Sequence, residues 1–333
     1  CNIDVLGVED GYLGLIENRF RPITEEDISG ILRRGGTILG SNNRANPSRF
    51  ATGKQADGKP IFQDLTENCL RHFTSRKIEA LIVIGGDGTM TSAAWFAKQG
   101  IAVVGVPKTI DNDIQGSEIT FGFQTAVDTA TDALDKVRTT ADSHHRAMVV
   151  EVMGRNAGWI ALHAGIASAS DVILIPEIPF DLDKVAQVIR DRERRGKRST
   201  LICVSEGAVQ RGGSQIVSKV DLTSPDPIRL GGVGKYVADC VEQRTGTESR
   251  YCVLGHVQRG GVPCAFDRVL ATALGNHAMK LLREGKVGRM VAVQHGELTD
   301  VDLSVPAGKQ RLVSRDHPLV AAARAVGASF GDC

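Results

Sequence analysis

The sequence lacks the cysteine spacing of a disulfide framework or of a zinc site. Its seven cysteines are scattered over 333 residues without a Cys-x-x-Cys pair, and several lie inside apolar runs, as Cys203 does. Such cysteines are typical of reduced core thiols in a cytosolic protein. The sequence also has no apolar run near the roughly 20 residues of a membrane span, and we expect no signal peptide. We therefore expect a cytoplasmic protein without a membrane segment.

The chain also lacks an excess of charge of either sign. Its 40 Lys and Arg residues stand against 39 Asp and Glu residues, for a formal net charge of +1. A nucleic-acid partner usually leaves a basic excess in the composition. We expect none here, so the basic side chains must be judged by local clustering.

Short apolar runs rich in β-branched residues alternate with longer segments of helical period. The clearest helices are predicted over 181–195 and 266–283, and a capping box at Thr24 opens another that should stop at Gly35-Gly36. The apolar runs suit buried parallel strands, so the alternation predicts an α/β fold dominated by parallel sheet. The predicted strands are Ala80–Ile84, Ile101–Val106, Met148–Val152, Val172–Ile175, Leu201–Val204 and Met290–Val293.

Two of the predicted strands end in acidic turns. One strand leads into Gly85-Gly86-Asp87-Gly88-Thr89, where glycines would let the backbone approach a phosphate and the Asp could hold Mg²⁺. The next leads into Pro107–Asp113, whose two carboxylates could supply a base. Each turn alone could be a plain tight turn. Their recurrence at neighbouring strand ends favours a phosphoryl-transfer site.

Basic side chains flank further predicted strands. Arg146 and Arg250 precede strands, whereas Arg155 and the run His256–Gly261 follow them. Any one of these groups could be a solvated surface charge. Taken with the two acidic turns, they indicate a site for a sugar phosphate, which Arg and His at strand ends can bind.

The motifs together resemble those of the phosphofructokinases, in the same order and with similar spacing over essentially the whole chain. The resemblance implies two facing Rossmann-like α/β lobes with the active site in the cleft. It also implies a homo-oligomer, built as a dimer of dimers. The implied reaction is the glycolytic transfer of a phosphoryl group from ATP to the 1-hydroxyl of fructose 6-phosphate. The matching motifs are Asp10–Leu15, Gly35–Ser41, Gly86–Thr89, Pro107–Asp113, Met153–Arg155 and His256–Gly261.

The resemblance implies a role for each matching residue. Asp111 is expected to be the general base, with Thr109 and Asp113 beside it, and Arg155 is expected to stabilise charge on the transferred group. Asp87 would bind Mg²⁺. The donor would contact Tyr12, Arg44, Gly86, Asp87, Gly88, Thr89 and Lys108. The sugar phosphate would contact Thr109, Ile110, Asp111, Met153, Gly154, Arg155, Glu206, His256 and Arg259, with Arg146 and Arg250 donated by a neighbouring subunit.

The same resemblance predicts the lobes. Residues 1–122 with about 258–305 should form the larger, donor-side lobe, and residues 123–257 with about 306–333 the smaller lobe for fructose 6-phosphate. Members of the family begin with a strand, a glycine-rich loop and a helix ahead of the position of Cys1. We therefore expect about 30 further residues before it, including a strand between Val5–Val8 and Ala80–Ile84.

Two positions bear on the donor. Members of the family that use pyrophosphate usually carry Asp at the position of Gly88 and Lys at that of Lys108, whereas typical bacterial ATP enzymes carry Gly at both. This chain combines Gly88 with Lys108. An Asp at position 88 would repel the α-phosphate of ATP. ATP is therefore the expected donor, and pyrophosphate remains a possible one.

Other interpretations stay open. One is a pyrophosphate-dependent phosphotransferase, and another is a non-catalytic paralogue that binds sugar phosphates. The absence of the glycine-rich loop from the sequence as it stands favours the latter, whereas the intact Asp87, Asp111, Asp113 and Arg155 argue against it. Glu25-Glu26 stand where effector-regulated members have an Arg-Tyr pair. The basic stretch 192–198 could be an effector patch or simply a solvated helix end.

Overall fold

A computed structural model describes residues 3–224 and 227–333, so Cys1 lies outside the described residues. The chain divides into two compact units. The first unit comprises the described residues of 1–107, 220–228 and 261–309, and the second those of 108–219, 229–260 and 310–333. The assignment of one lobe to the donor and one to the sugar phosphate stays a prediction.

Strands and helices alternate through most of the described chain. The strands are β1 (Leu6–Val8), β2 (Phe20–Pro22), β3 (Phe50–Lys54), β4 (Pro60–Gln63), β5 (Leu81–Gly85), β6 (Val103–Pro107), β7 (Ala147–Val152), β8 (Val172–Leu174), β9 (Thr200–Ser205), β10 (Val217–Val220), β11 (Ile228–Leu230), β12 (Ser249–Val253), β13 (Arg289–Gln294) and β14 (Glu297–Asp302). The α-helices are α1 (Tyr12–Glu17), α2 (Glu25–Ile28), α3 (Thr66–Ser75), α4 (Asp87–Lys98), α5 (Phe123–His144), α6 (Trp159–Ala167), α7 (Leu182–Arg194), α8 (Val233–Thr245), α9 (Ala265–Arg283) and α10 (Pro318–Ala325).

The first unit contains a four-stranded sheet in the order β14-β13-β6-β5. β13, β6 and β5 run parallel, and β14 joins β13 as an antiparallel neighbour. β6 is buried along its whole length, as expected for a central parallel strand. β1 pairs antiparallel with β2, so the expected strand at Val5–Val8 lies in this small ribbon.

The second unit contains a parallel sheet in the order β12-β7-β9-β8, with helices on both faces. Successive side chains of β7 lie on opposite faces of the sheet. Val150 and Val152 pack in a core with residues of α5 and α6, whereas Val149 packs in a core with residues of α7 and α8. This double burial explains why the strands read as continuous apolar runs in the sequence.

The structure therefore confirms the α/β fold class and the six predicted strands, with ends that shift by one or two residues. The helix at Thr24 is shorter than expected. Its capping box forms, with Thr24 N–H donating to Asp27 Oδ2 at 2.9 Å. α2 nevertheless stops at Ile28, because the backbone is already extended at Ser29, with a ψ of 120°, and Gly30 follows with a left-handed φ of 73°. No helix in the described part of the chain is both long and apolar enough to cross a membrane.

Candidate active site

The Gly86–Thr89 turn follows β5 and forms the N-cap and the start of α4, in the first unit. Asp87 is the first residue of α4, and its Oδ1 accepts the N–H of Gly88 at 2.7 Å. A Cβ at Gly85 would overlap the side chain of Thr89, so glycine is needed where the strand ends. Around Gly88, by contrast, a Cβ would meet no atom within 4 Å. A helix N-terminus with open space suits a phosphate group.

Of the two other donor-side candidates in this unit, the structure brings Tyr12 to the turn. Its hydroxyl donates to the carbonyl oxygen of Thr89 at 2.9 Å, and its ring lies 6.0 Å from that of Phe96. Burial raises the pKa of the Tyr12 hydroxyl, which therefore stays protonated as a donor. Arg44 is mostly exposed, and its guanidinium pairs with Asp221 at 3.1 Å.

The Thr109–Asp113 loop follows β6 and lies in the second unit. Asp111, Asn112 and Asp113 are only 7%, 3% and 4% exposed. The hydroxyl of Thr109 accepts the N–H of Asp111 at 3.2 Å, which fixes the backbone ahead of the expected base. Ile110 packs against the apolar core of the second unit.

Asn112 closes this loop. Its φ of 53° is left-handed, a conformation that Asn tolerates better than most residues. Its Oδ1 accepts the buried N–H of Thr120 at 2.9 Å, and its Nδ2 donates to the carbonyl oxygen of Glu118 at 3.3 Å. The two carboxylates on either side of Asn112 are therefore held by a closed, hydrogen-bonded turn.

The turn Met153–Arg155 follows β7 at the same edge of the sheet as the turn after β9. Glu206 Oε1 accepts the N–H of Arg155 at 3.2 Å, and a Cβ at Gly207 would overlap the carbonyl oxygen of Arg155. Gly154 and Arg155 both have positive φ, 138° and 51°. The turn is thus a strained one that the neighbouring strand end supports.

The segment Gly255–Arg259 is a short 3₁₀ helix after β12, and it carries two candidates for the sugar phosphate. His256 and Arg259 are exposed, and Arg259 Nε lies 3.4 Å from the sulfur of Met153. Gln258, between them, is 1% exposed, and its Oε1 accepts the N–H of Met153 at 2.8 Å. This bond joins the 3₁₀ helix to the turn after β7.

Several candidate site residues of the second unit influence each other's pKa. Burial raises the pKa of Glu206; the carboxylate of Asp111 also raises it, and the N–H of Arg155 lowers it. Lys108 is exposed as a residue, but desolvation of its ammonium group lowers its pKa. The charge of Arg259 lowers that pKa further, and Asp111 opposes both effects. Acidic and basic groups therefore share one region around Asp111.

Arg146 and Arg250 lie together at the other end of the same sheet. Arg146 immediately precedes β7, and Arg250 pairs in register with Met148 of that strand. Both guanidinium groups pair with Glu248, Arg146 at 2.8 Å, and they lower the pKa of that carboxyl. Arg155 follows β7, so Arg146 and Arg155 are separated by roughly 20 Å of strand.

A sequence model described as Phosphofructokinase matches residues 1–282. The chain belongs to the phosphofructokinase family. It is 45% identical to ATP-dependent 6-phosphofructokinase 2 of Clostridium perfringens over 99% of this chain and 90% of that one. It is also 44% identical to pyrophosphate--fructose 6-phosphate 1-phosphotransferase of Amycolatopsis methanolica, over 93% of this chain and 87% of the relative.

A solved structure agrees with this family assignment. The structure of phosphofructokinase from Saccharomyces cerevisiae matches 92% of this chain and 41% of the yeast chain, with a TM-score of 0.75 and 30% identity. The resemblance seen in the motifs is therefore confirmed. The roles expected of individual residues are a separate matter and stay predictions.

Asp87 is the phosphofructokinase residue expected to hold Mg²⁺. Among residues 3–224 and 227–333, no cluster of three or more His, Cys, Asp or Glu side chains could hold a metal ion. Mg²⁺ commonly uses one or two carboxylates, and takes its remaining ligands from substrate phosphates and water. A single half-buried carboxylate at a helix N-terminus fits that mode of binding.

Some residues of this phosphofructokinase that support the site were not among the sequence candidates. Arg311 donates to the carbonyl oxygens of Asn112 and Glu118 at 3.0 and 2.9 Å, and its guanidinium stacks on Trp159. Gln258 stands in a motif that was recognised, but its link to Met153 was not foreseen. Nothing local in the sequence marks Arg311, because its partners are nearly 200 residues away.

The basic stretch 192–198 is partly neutralised. Arg192 pairs with Asp171 at 2.6 Å, and Arg194 pairs with Asp191 at 2.9 Å. Glu25 and Glu26 lie in the exposed first turn of α2, where acidic residues favour the helix dipole. A regulatory role for the basic stretch stays a prediction.

Proposed function

We propose that this chain transfers a phosphoryl group from ATP to the 1-hydroxyl of fructose 6-phosphate, giving fructose 1,6-bisphosphate. One observation carries the proposal. The buried loop with Asp111 and Asp113 lies in the same unit as Arg155, Glu206 and Arg259. The charges of Asp111 and Arg155 act on the pKa of Glu206, and those of Asp111 and Arg259 act on the pKa of Lys108. Family membership, with relatives named ATP-dependent 6-phosphofructokinase, supports the same reaction.

Asp111 would act as the general base. It accepts the proton of the sugar 1-hydroxyl as that oxygen forms its bond to phosphorus, while the bond from phosphorus to the oxygen of ADP breaks. A buried carboxylate in a fixed turn is suited to this role, because its position needs little adjustment at the transition state. Thr109 and Asp113 flank the base, and the guanidinium of Arg155 stabilises charge on the transferred group.

The acceptor would be held by the three turns at one edge of the second sheet. His256 and Arg259 bind the 6-phosphate, which needs charged donors. Glu206 accepts hydrogen bonds from sugar hydroxyls. The remaining contacts are the turn Met153-Gly154 and the loop residues Thr109 and Ile110.

The donor would be held by the Gly86–Thr89 turn, with Tyr12 bracing it and Lys108 and Arg44 contributing positive charge. Backbone N–H groups at the start of α4 face the phosphates. Bound to Asp87 and the donor phosphates, Mg²⁺ would neutralise charge that develops on them.

The active assembly would be a homo-oligomer, a dimer of dimers, in the cytoplasm. Arg146 and Arg250 lie at the end of the sheet opposite the turn of Arg155. This position supports the proposal that they serve a neighbouring subunit rather than their own. Both would add positive charge to the partner's sugar-phosphate site.

The test is to assay the purified protein with fructose 6-phosphate and Mg²⁺, and either ATP or pyrophosphate, and to measure fructose 1,6-bisphosphate. The proposal predicts a higher kcat/KM with ATP. A preference for pyrophosphate would favour the second candidate function, a pyrophosphate-dependent phosphotransferase. Two observations support that candidate: the presence of Lys108, and the similarity to the pyrophosphate--fructose 6-phosphate 1-phosphotransferase of Amycolatopsis methanolica. Binding of fructose 6-phosphate without turnover of either donor would leave the non-catalytic interpretation.

A further inference from the structure

Three side-chain amides form a hydrogen-bonded chain that ends on Asp113, entirely within the second unit. Gln215 Nε2 donates to Asn156 Oδ1 at 3.1 Å and to the carbonyl oxygen of Gly207 at 3.3 Å. Asn156 Nδ2 donates to Gln310 Oε1 at 3.2 Å. Gln310 Nε2 then donates to Asp113 Oδ2 at 2.9 Å. We call Gln215, Asn156 and Gln310 the amide chain.

The direction of the amide chain follows from the groups at its two ends. A side-chain amide can rotate by half a turn and exchange its oxygen and nitrogen. The carbonyl of Gly207 and the carboxylate of Asp113 can only accept, so an NH₂ group must face each of them. Asn156 must then donate to Gln310 rather than accept from it. Every amide orientation is thereby determined.

Backbone pairing fixes Gln310 beside the Thr109–Asp113 loop. Gln310 forms an antiparallel bridge with Ile114, and the N–H of Arg311 donates to the carbonyl oxygen of Asp113 at 2.7 Å. Arg311 also binds two carbonyl groups of the loop through its guanidinium. The amide of Gln310 therefore meets the carboxylate of Asp113 with little freedom, in a charge-assisted hydrogen bond.

We propose that Gln310 is a positioning residue that sets the orientation of the Asp113 carboxylate, and that Asn156 sets the orientation of the Gln310 amide. The inference rests on the proposed function, in which Asp113 lies near the transferring phosphoryl group. Asn156 directly follows Arg155, and Gly207 directly follows Glu206. The amide chain thus connects the two turns assigned to the sugar phosphate with the carboxylate beside the base.

The first experiment varies position 310. Gln310→Met keeps the length of the side chain but removes the donor, and we expect kcat to fall about tenfold while the KM for fructose 6-phosphate changes less than about twofold. Gln310→Lys keeps a donor toward the carboxylate, so its kcat should stay within about threefold of wild type. Gln310→Glu puts a second carboxylate against Asp113, and kcat should fall roughly 100-fold.

The second experiment reverses the amide. Asn156→Asp still accepts from Gln215 but repels the oxygen of Gln310, which should rotate and turn that oxygen toward Asp113. We expect kcat to fall about as far as in Gln310→Met, roughly tenfold. The double variant Asn156→Asp with Gln310→Lys should recover most of the lost kcat, because the ammonium group can bind both carboxylates.

Leu312→Ala is the matched control, since Leu312 lies on the same segment and is 49% exposed. Its kcat should be unchanged. Thermal unfolding of every variant, together with crystal structures of Gln310→Met and Gln310→Lys, gives a readout that does not depend on turnover. Asp113 should change side-chain orientation in the Met variant and keep it in the Lys variant.

Three outcomes would overturn the inference: equal losses of kcat in the Met and Lys variants, wild-type kcat in the Met variant, or an unmoved Asp113 side chain in its crystal structure. If the wild-type protein instead phosphorylates no fructose 6-phosphate with either donor, the proposed function fails. The two crystal structures then still decide whether Gln310 positions Asp113.

Discussion

The two acidic turns of this phosphofructokinase differ in how firmly the chain holds them. The Gly86–Thr89 turn is partly exposed, and an added side chain at Gly88 would meet open space. The Thr109–Asp113 loop is nearly inaccessible at its three acidic and amide positions. It is closed by Asn112 and fastened by Arg311 from the C-terminal part of the chain.

The difference fits the two tasks that we propose. A turn that receives donor phosphates must leave its N–H groups and the space above them open. A loop that supplies a base must hold that base in place before the reaction starts. The comparison therefore predicts that substitutions in the closed loop affect both turnover and stability, whereas substitutions at Gly88 affect donor choice and leave the fold intact.

The largest effect is expected at Asp111. Asp111→Asn keeps the size of the side chain but removes the proton acceptor, so kcat should fall by about 10²–10⁴-fold with little change in the affinity for fructose 6-phosphate. Steady-state kinetics and equilibrium binding of the sugar phosphate check this. Asp132→Asn, on the exposed part of α5 where Asp132 pairs with Lys136, is the control. Near-normal turnover of the Asp111 variant would show that Asp111 is not the general base.

Gly88→Asp should change the donor. The added carboxylate repels the α-phosphate, and we expect kcat/KM for ATP to fall roughly 10²-fold relative to that for pyrophosphate. Because the position is open and lies in the first turn of α4, the variant should fold normally. Gly88→Asn matches the size without the charge and should keep most of the activity with ATP. An unchanged kcat/KM for ATP in the Asp variant contradicts charge exclusion at this position.

Asn112→Ala should destabilise the closed loop. The left-handed φ is unfavourable for alanine, and the buried N–H of Thr120 loses its acceptor. The free energy of unfolding should therefore fall by about 2–4 kcal/mol. Asn112→Gly tolerates the φ and loses only the hydrogen bonds, so it should lie between Ala and wild type. Denaturant unfolding of the three proteins checks the order. Equal stability of the Ala and Gly variants would show that backbone strain at this position is unimportant.

The smallest effect is expected from Gly88→Ala. The substitution sits in a helix, in open space and without an unfavourable φ, so it should raise the free energy of unfolding by up to about 1 kcal/mol. The kcat/KM for ATP should stay within about twofold of wild type. A marked loss of ATP turnover in this variant would mean that the open turn is less tolerant than its geometry indicates.

The sequence was sufficient to predict the α/β class, the six core strands and the turns that follow them. Each of these rests on neighbouring residues: β-branched runs buried on both faces give strands, and glycine or Asx residues after them give turns. The sequence was also sufficient to identify the family, because the motifs of the family are short and local in the sequence. The predicted length of the helix after Thr24 was wrong, since the backbone becomes extended at Ser29 although the capping box at the other end is well formed.

Only the tertiary structure decided what holds those turns. Gln258 reaches the N–H of Met153 across 105 residues, and Gln310 reaches Asp113 across 197. No periodicity or spacing encodes such pairs, because they arise when parallel strands bring their carboxyl ends to one edge and when Gln310 pairs with Ile114 in the loop after β6. The sequence names the groups that can carry the chemistry, while long-range hydrogen bonds in the folded chain give them their orientation.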